Sequence, residues 1–150
     1  MGMEQFKTRA KANDGVRLTL HAPDGKPTDE YLIVRHVWSD AFIEADERTK
    51  RELQEWMAGE IAARKLADDK LPDDLREAVA ERARAVRLEV LAALVSGWSF
   101  DAECTPEAVA GFLAEAPQIA NQIDKFAADN EAFFGNGSPS SPSGSEPKSA

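Results

Sequence analysis

Cysteine is nearly absent: the 150 residues hold only Cys104. A single thiol cannot close an internal disulfide, which excludes a small disulfide-stapled secreted domain. Histidine is almost as scarce, with only His21 and His36. Imidazole catalysis and histidine-rich metal sites therefore have little to draw on. Basic residues number 18 against 27 acidic ones, for a net charge of -9. Such a chain repels phosphate backbones, which argues against nucleic acid as a partner. No apolar run approaches the roughly 20 residues of a membrane span. The start, Met1-Gly2-Met3-Glu4-Gln5, lacks the apolar core of a secretion signal. The expected compartment is the cytosol, with no membrane partner.

What is present suffices for one domain with a core, since 43% of the residues are hydrophobic. Residues 1–14 are polar and read as a flexible arm or a lead-in to the first strand. Val16 to His21 alternates apolar and polar, the period of a half-buried strand. Pro23-Asp24-Gly25 is a turn signal. Tyr31 to Val37 is a second β-rich run, so residues 15–37 read as a hairpin. Two strands alone are marginal in water, so the hairpin must pack on helices or pair with another chain.

From Ser39, a good N-cap, the pattern turns helical. Phe42, Ala45, Leu53, Trp56, Met57 and Ile61 share one side of a helix predicted over about 40–67. A second helix is predicted from Pro72 to Ser96, with Asp73 and Asp74 at its positive end. Its last turns, Leu88 to Val95, are apolar nearly all round, which marks burial on several sides. Gly97 reads as its C-cap, with Trp98 and Phe100 covering the end. Thr105-Pro106-Glu107 starts a third helix, and Pro117 separates it from a fourth. On that last segment Ile119, Ile123, Phe126, Phe133 and Phe134 fall on a single face. Residues 136–150 are mostly Ser, Pro and Gly and read as a disordered tail. The predicted class is α+β, mostly α. An N-terminal β-hairpin packs on a bundle of about four helices, and residues 15–135 form a single globular domain with helices spanning 40–134.

No catalytic constellation emerges. His21 and His36 could face each other across the hairpin, with Asp24 or Asp29 as the only further metal ligands; two ordinary histidines are the simpler reading. Cys104 lies just before a helix start, where a thiol pKa can fall, but no imidazole is near in sequence. There is no calcium loop, no glycine-rich phosphate loop and no G-x-S-x-G. The expectation is a protein that is not an enzyme, with no cofactor and no metal. Interaction is the better reading. Residues 99–135 carry seven acidic side chains against Lys125 alone, and the last apolar stripe can dock on its own domain or in a partner's groove. The hairpin and the all-round apolar helix end also suggest a homo-oligomer.

A set of motifs in the C-terminal part carries a resemblance. Gly97-Trp98 is followed by an acidic loop and Thr105-Pro106-Glu107-Ala108-Val109. Leu113, Pro117, Ile119, Gln122-Ile123 and Phe133-Phe134 come next. Over about residues 88–135 this resembles the tail assembly chaperones of long-tailed bacteriophages, and the N-terminal hairpin fits them more loosely. The resemblance implies a helical, non-enzymatic protein of the bacterial host cytoplasm, absent from the mature virion. It would bind the tape measure protein and promote polymerisation of the tail tube protein. Trp98, Phe112, Ile119, Ile123, Phe126 and Phe133 would line or support the partner-binding surface. Two alternatives are a minor tail or tail completion protein of the virion, and a small acidic inhibitor or adaptor of host proteins.

Overall fold

The alternating segments form a small antiparallel sheet in the computed structural model, which describes residues 2–67 and 70–135. Strands β1 (Val16–His21) and β2 (Pro27–Val34) make the expected hairpin, with Leu18 opposite Leu32 and Val16 opposite Val34. Leu18, Leu20, Leu32 and Val34 all point inward and are buried. At the turn, Gly25 adopts a φ of 90° and the Asp24 carboxylate accepts the Lys26 N–H at 3.0 Å. The second strand starts earlier than predicted, at Pro27 rather than Tyr31, and stops at Val34 rather than Val37.

A third strand departs from the sequence reading. Val95–Trp98 forms β3, which pairs antiparallel with β2, so that Leu32 faces Trp98 and Ile33 faces Gly97. The helix predicted to reach Ser96 ends at Ala92 instead, and Gly97 is a strand residue rather than a C-cap. The cause is tertiary. Leu94 and Val95 are buried, and the strand ladder satisfies backbone groups that a longer helix would also have satisfied. The Arg35 N–H donates to the Leu94 carbonyl at 2.6 Å, and the Ser99 N–H to the Tyr31 carbonyl at 3.0 Å. The sheet order is β1-β2-β3, with β2 in the centre.

The stretch read as an arm contains a 3-10 turn, Met3–Phe6, and a short helix, α1 (Arg9–Asp14). Ala12 of α1 is buried, and its carbonyl accepts the His36 N–H at 3.1 Å. Arg9 and Asn13 hold Asp40 at the start of the next helix: Arg9 Nη2 lies 2.8 Å from the carboxylate, and the Asp40 N–H donates to Asn13 Oδ1 at 2.8 Å. Polar residues hid this helix, because its docking uses one alanine and a set of hydrogen bonds.

Helices α2 (Asp40–Arg64) and α3 (Asp73–Ala92) run antiparallel. The Ser39 hydroxyl caps α2 by accepting the Phe42 N–H at 3.4 Å. The main core takes in Phe42 and Leu88 but no residue between them. Beyond those two positions the helices therefore form a two-helix arm. Leu53, Trp56, Met57 and Ile61, predicted as the buried side, are only half buried, because a single facing helix covers them. From Arg48 to Arg64 the arm extends about 24 Å at 1.5 Å per residue.

Helices α4 (Pro106–Glu115), α5 (Pro117–Ala127) and α6 (Asn130–Phe134) complete the body. Thr105 caps α4 as its sequence predicts, accepting the Ala108 N–H at 3.0 Å. Leu91 of α3, Val109 and Leu113 of α4, and Ile119 and Ile123 of α5 join the sheet leucines in one core. The architecture is α+β and mostly helical, with α1 and α6 as short additions to the four main helices. The predicted tail, residues 136–150, lies outside the described residues.

Candidate interaction surface

The predicted site residues divide among three places. Ile119, Ile123 and Phe133 are buried, with exposures of 5%, 0% and 6%. They can support a surface but not line one. Trp98, Phe112 and Phe126 are half buried and fall into two separate aromatic groups.

The first group is Trp98, Phe100 and Phe112. The end of β3 supplies Trp98, the loop after it Phe100, and the outer side of α4 Phe112. The three rings meet edge-on, with centroids 5.2, 6.0 and 5.3 Å apart. Such arrangements align ring edges with ring faces, adding about 0.5–1.5 kcal/mol per pair beyond area burial. The indole N–H donates to the Ala102 carbonyl at 2.7 Å. Its polar edge is thus satisfied within the chain, while its half-covered ring remains available to an apolar partner.

The second group gathers around His36. This imidazole is 1% exposed. The Trp38 N–H donates to His36 Nδ1 at 3.0 Å, so Nε2 carries the proton and donates to Asn130 Oδ1 at 2.8 Å. Phe133 meets the ring edge-on at 4.9 Å, and Phe134 stacks on Trp38 at 5.6 Å and 15°. Phe126 reaches Phe133 at 5.4 Å. The group seats α6 on the body, and the Asp129 carboxylate caps that helix by accepting the Ala132 N–H at 3.2 Å. The terminal stripe therefore docks on its own domain. His36, Trp38, Phe100 and Phe134 were not among the predicted site residues. The proximity of His36, Trp38 and Phe134 depends on the long-range return of α6 to the start of α2, which no local pattern encodes.

The two histidines do not converge. His21 pairs with Pro27 at the turn end of the hairpin, whereas His36 lies past its open end. Among the described residues no group of three His, Cys, Asp or Glu side chains could hold a metal. Cys104 is not activated by its helix start: burial pushes the thiol pKa up, against the weaker opposing pull of Arg35. It lines a groove of about 840 Å3 between α2, α3, β3 and α4. Ala45, Ala92, Ala93 and Ala110 form part of the groove lining, and Arg35, Arg48 and Glu107 contribute charge. Alanines at helix positions gave no sequence signal for this concavity. Arg48 is committed to Glu89 at 2.8 Å.

Among the described residues no helix is long and apolar enough to cross a membrane. Comparison with curated proteins and with solved structures gives no match. A family model does match, described as phage tail assembly chaperone, over residues 1–129. The match includes the N-terminal hairpin, which the sequence resemblance fitted only loosely, and the arm, and it stops before α6. With that much of its length accounted for, the chain belongs to the phage tail assembly chaperone family, and its role lies in phage tail assembly.

Proposed function

We propose that this protein is a non-enzymatic chaperone that binds the tape measure protein in the host cytoplasm and promotes assembly of the tail tube protein around it. The observation that carries the reading is the half-covered Trp98–Phe100–Phe112 group beside unpaired carboxylates. No ion pair among the described residues uses an acidic side chain from residues 99–135. A holdase for a long helical client needs accessible apolar surface on a charged, soluble body. Aromatic rings would cover apolar client side chains, and the free carboxylates would favour clients with basic stretches. Ile119 and Ile123 act from beneath by holding α5 in place.

Co-expression with the tape measure protein tests this. Trp98→Ala with Phe112→Ala, and separately Glu103→Lys with Glu107→Lys, should each move the client from the soluble fraction to the pellet. Circular dichroism checks that both variants remain folded. A client that stays equally soluble with both folded variants means this surface is not the site. Mass spectrometry of purified virions should find the protein absent. Stoichiometric copies there would favour a structural tail subunit.

A further inference from the structure

The α2–α3 arm has a charge pattern that the family's role in assembly does not account for. Three contacts fix which residues of the two helices stand level. Arg48 meets Glu89 at 2.8 Å at the base, Arg82 lies 4.1 Å over the Trp56 ring midway, and Arg64 meets Asp74 at 2.8 Å near the tip. Divided at the Trp56–Arg82 level, the arm is polarised. The base half, residues 48–56 and 82–90, holds six basic and three acidic side chains, net +3. The tip half, residues 57–64 and 73–81, holds two basic and five acidic side chains, net -3. Several of these charges have no ion-pair partner among the described residues: Arg51 and Arg84 in the base half, Glu77 and Glu81 in the tip half. Along both halves runs the half-buried stripe of Leu53, Trp56, Met57 and Ile61.

We infer that this arm pairs with the arm of a second copy, antiparallel, about a two-fold axis near Trp56. That arrangement lays the positive base half of each arm on the negative tip half of the other. A parallel arrangement would stack like on like. Two helices from each copy then make a four-helix bundle, which gives the half-buried stripe the second covering layer it lacks within one chain. A two-fold interface uses the same patch twice, so the patch must be self-complementary, and a dipolar arm of zero net charge is. The acidic body, in contrast, repels its own copy and stays outside the contact.

Light scattering on the eluting full-length protein tests this. The wild type should be a dimer that weakens as salt rises from about 0.05 to 0.5 M, because exposed charge pairs are screened. Arg51→Glu with Arg84→Glu makes both halves of the arm negative, and Glu77→Lys with Glu81→Lys makes both positive. Each variant alone should be monomeric. Mixed, the two should form a heterodimer, since each then presents what the other lacks. Circular dichroism controls for folding of the arm. A wild type that is monomeric at every salt concentration overturns the inference and leaves the arm open for a client helix. So do dimers that survive in both folded variants, or variants that stay monomeric when mixed.

Discussion

Replacing Gly97 with alanine should leave the protein as stable as before or slightly more stable. The local sequence suggests the opposite, because a glycine after an apolar helical run usually occupies the left-handed conformation of a C-cap. Alanine there would cost about 1–2 kcal/mol. In the structure Gly97 lies in β3 opposite Ile33, and among the described glycines only Gly15 and Gly25 have a positive φ. An added Cβ would stand 3.7 Å from Ile33 Cγ1, an ordinary contact. What remains is the reduced freedom of the unfolded chain, worth about 0.4–1 kcal/mol in favour of the variant. With a urea m-value of about 1–3 kcal/mol/M, a rise in the midpoint should lie between about 0.1 and 1 M. Urea titration followed by circular dichroism reads this directly. Gly15→Ala supplies the contrast. That residue has a φ of 84°, and a Cβ would sit 3.0 Å from the Val34 carbonyl oxygen and 3.1 Å from Ile33 Cγ2. It should lose at least the 1–2 kcal/mol of the left-handed conformation. A midpoint that falls by more than about 1 kcal/mol equivalent in Gly97→Ala would refute the placement of β3.

Two further changes separate core from periphery. Ile123→Ala empties a fully buried site and should cost about 2–5 kcal/mol in global unfolding, whereas Phe133→Ala should release α6 and lose amide protection around residues 130–135 with the sheet unaffected; hydrogen exchange distinguishes the two patterns. Acid should weaken the ties of α1 to α2 and of the arm tip. Hydrogen bonds from Arg9 hold the Asp40 pKa below its usual value, and those from Arg64 do the same for Asp74. Because the folded values are depressed, the stabilisation is present above about pH 4, where an unfolded aspartate titrates, and is lost as pH falls through the folded values. Both pairs are exposed and small in effect. Melting temperature against pH for wild type and Asp40→Asn should converge in acid, and parallel curves would deny the coupling.

The parts of the fold that were legible in the sequence are those written in local chemistry. Ser39 and Thr105 cap the helices they were predicted to cap, and Pro106 and Pro117 stand at the first positions of theirs. The hairpin followed from alternation and a Pro-Asp-Gly turn. What was hidden depends on distant partners. Val95 to Trp98 is a strand only because β2 offers it a ladder, and its own residues would equally continue a helix. The same holds for His36, whose burial needs α1, α6 and Trp38 together. Among the candidate site residues, periodicity placed Ile119, Ile123 and Phe126 on one face of α5. It could not say which of them reach the surface, because core and contact aromatics share one spacing.

The position of β2 between strands on either side of it in the chain has a consequence for the order of folding. Its partner β1 is a tight turn away, while about sixty residues separate it from β3. Closing a flexible loop of that length carries an entropic cost that grows with the logarithm of its length. Here the intervening chain is largely the α2–α3 hairpin, which forms from neighbouring residues and returns to where it started. Once it has formed, Ala92 is delivered near Ser39 and the effective loop shrinks to a few residues at each end. Docking of β3 should then be late and fast, with mutations in the helical hairpin slowing folding more than mutations in β3. A growing chain would hold the first two strands with an open edge until Trp98 has been added.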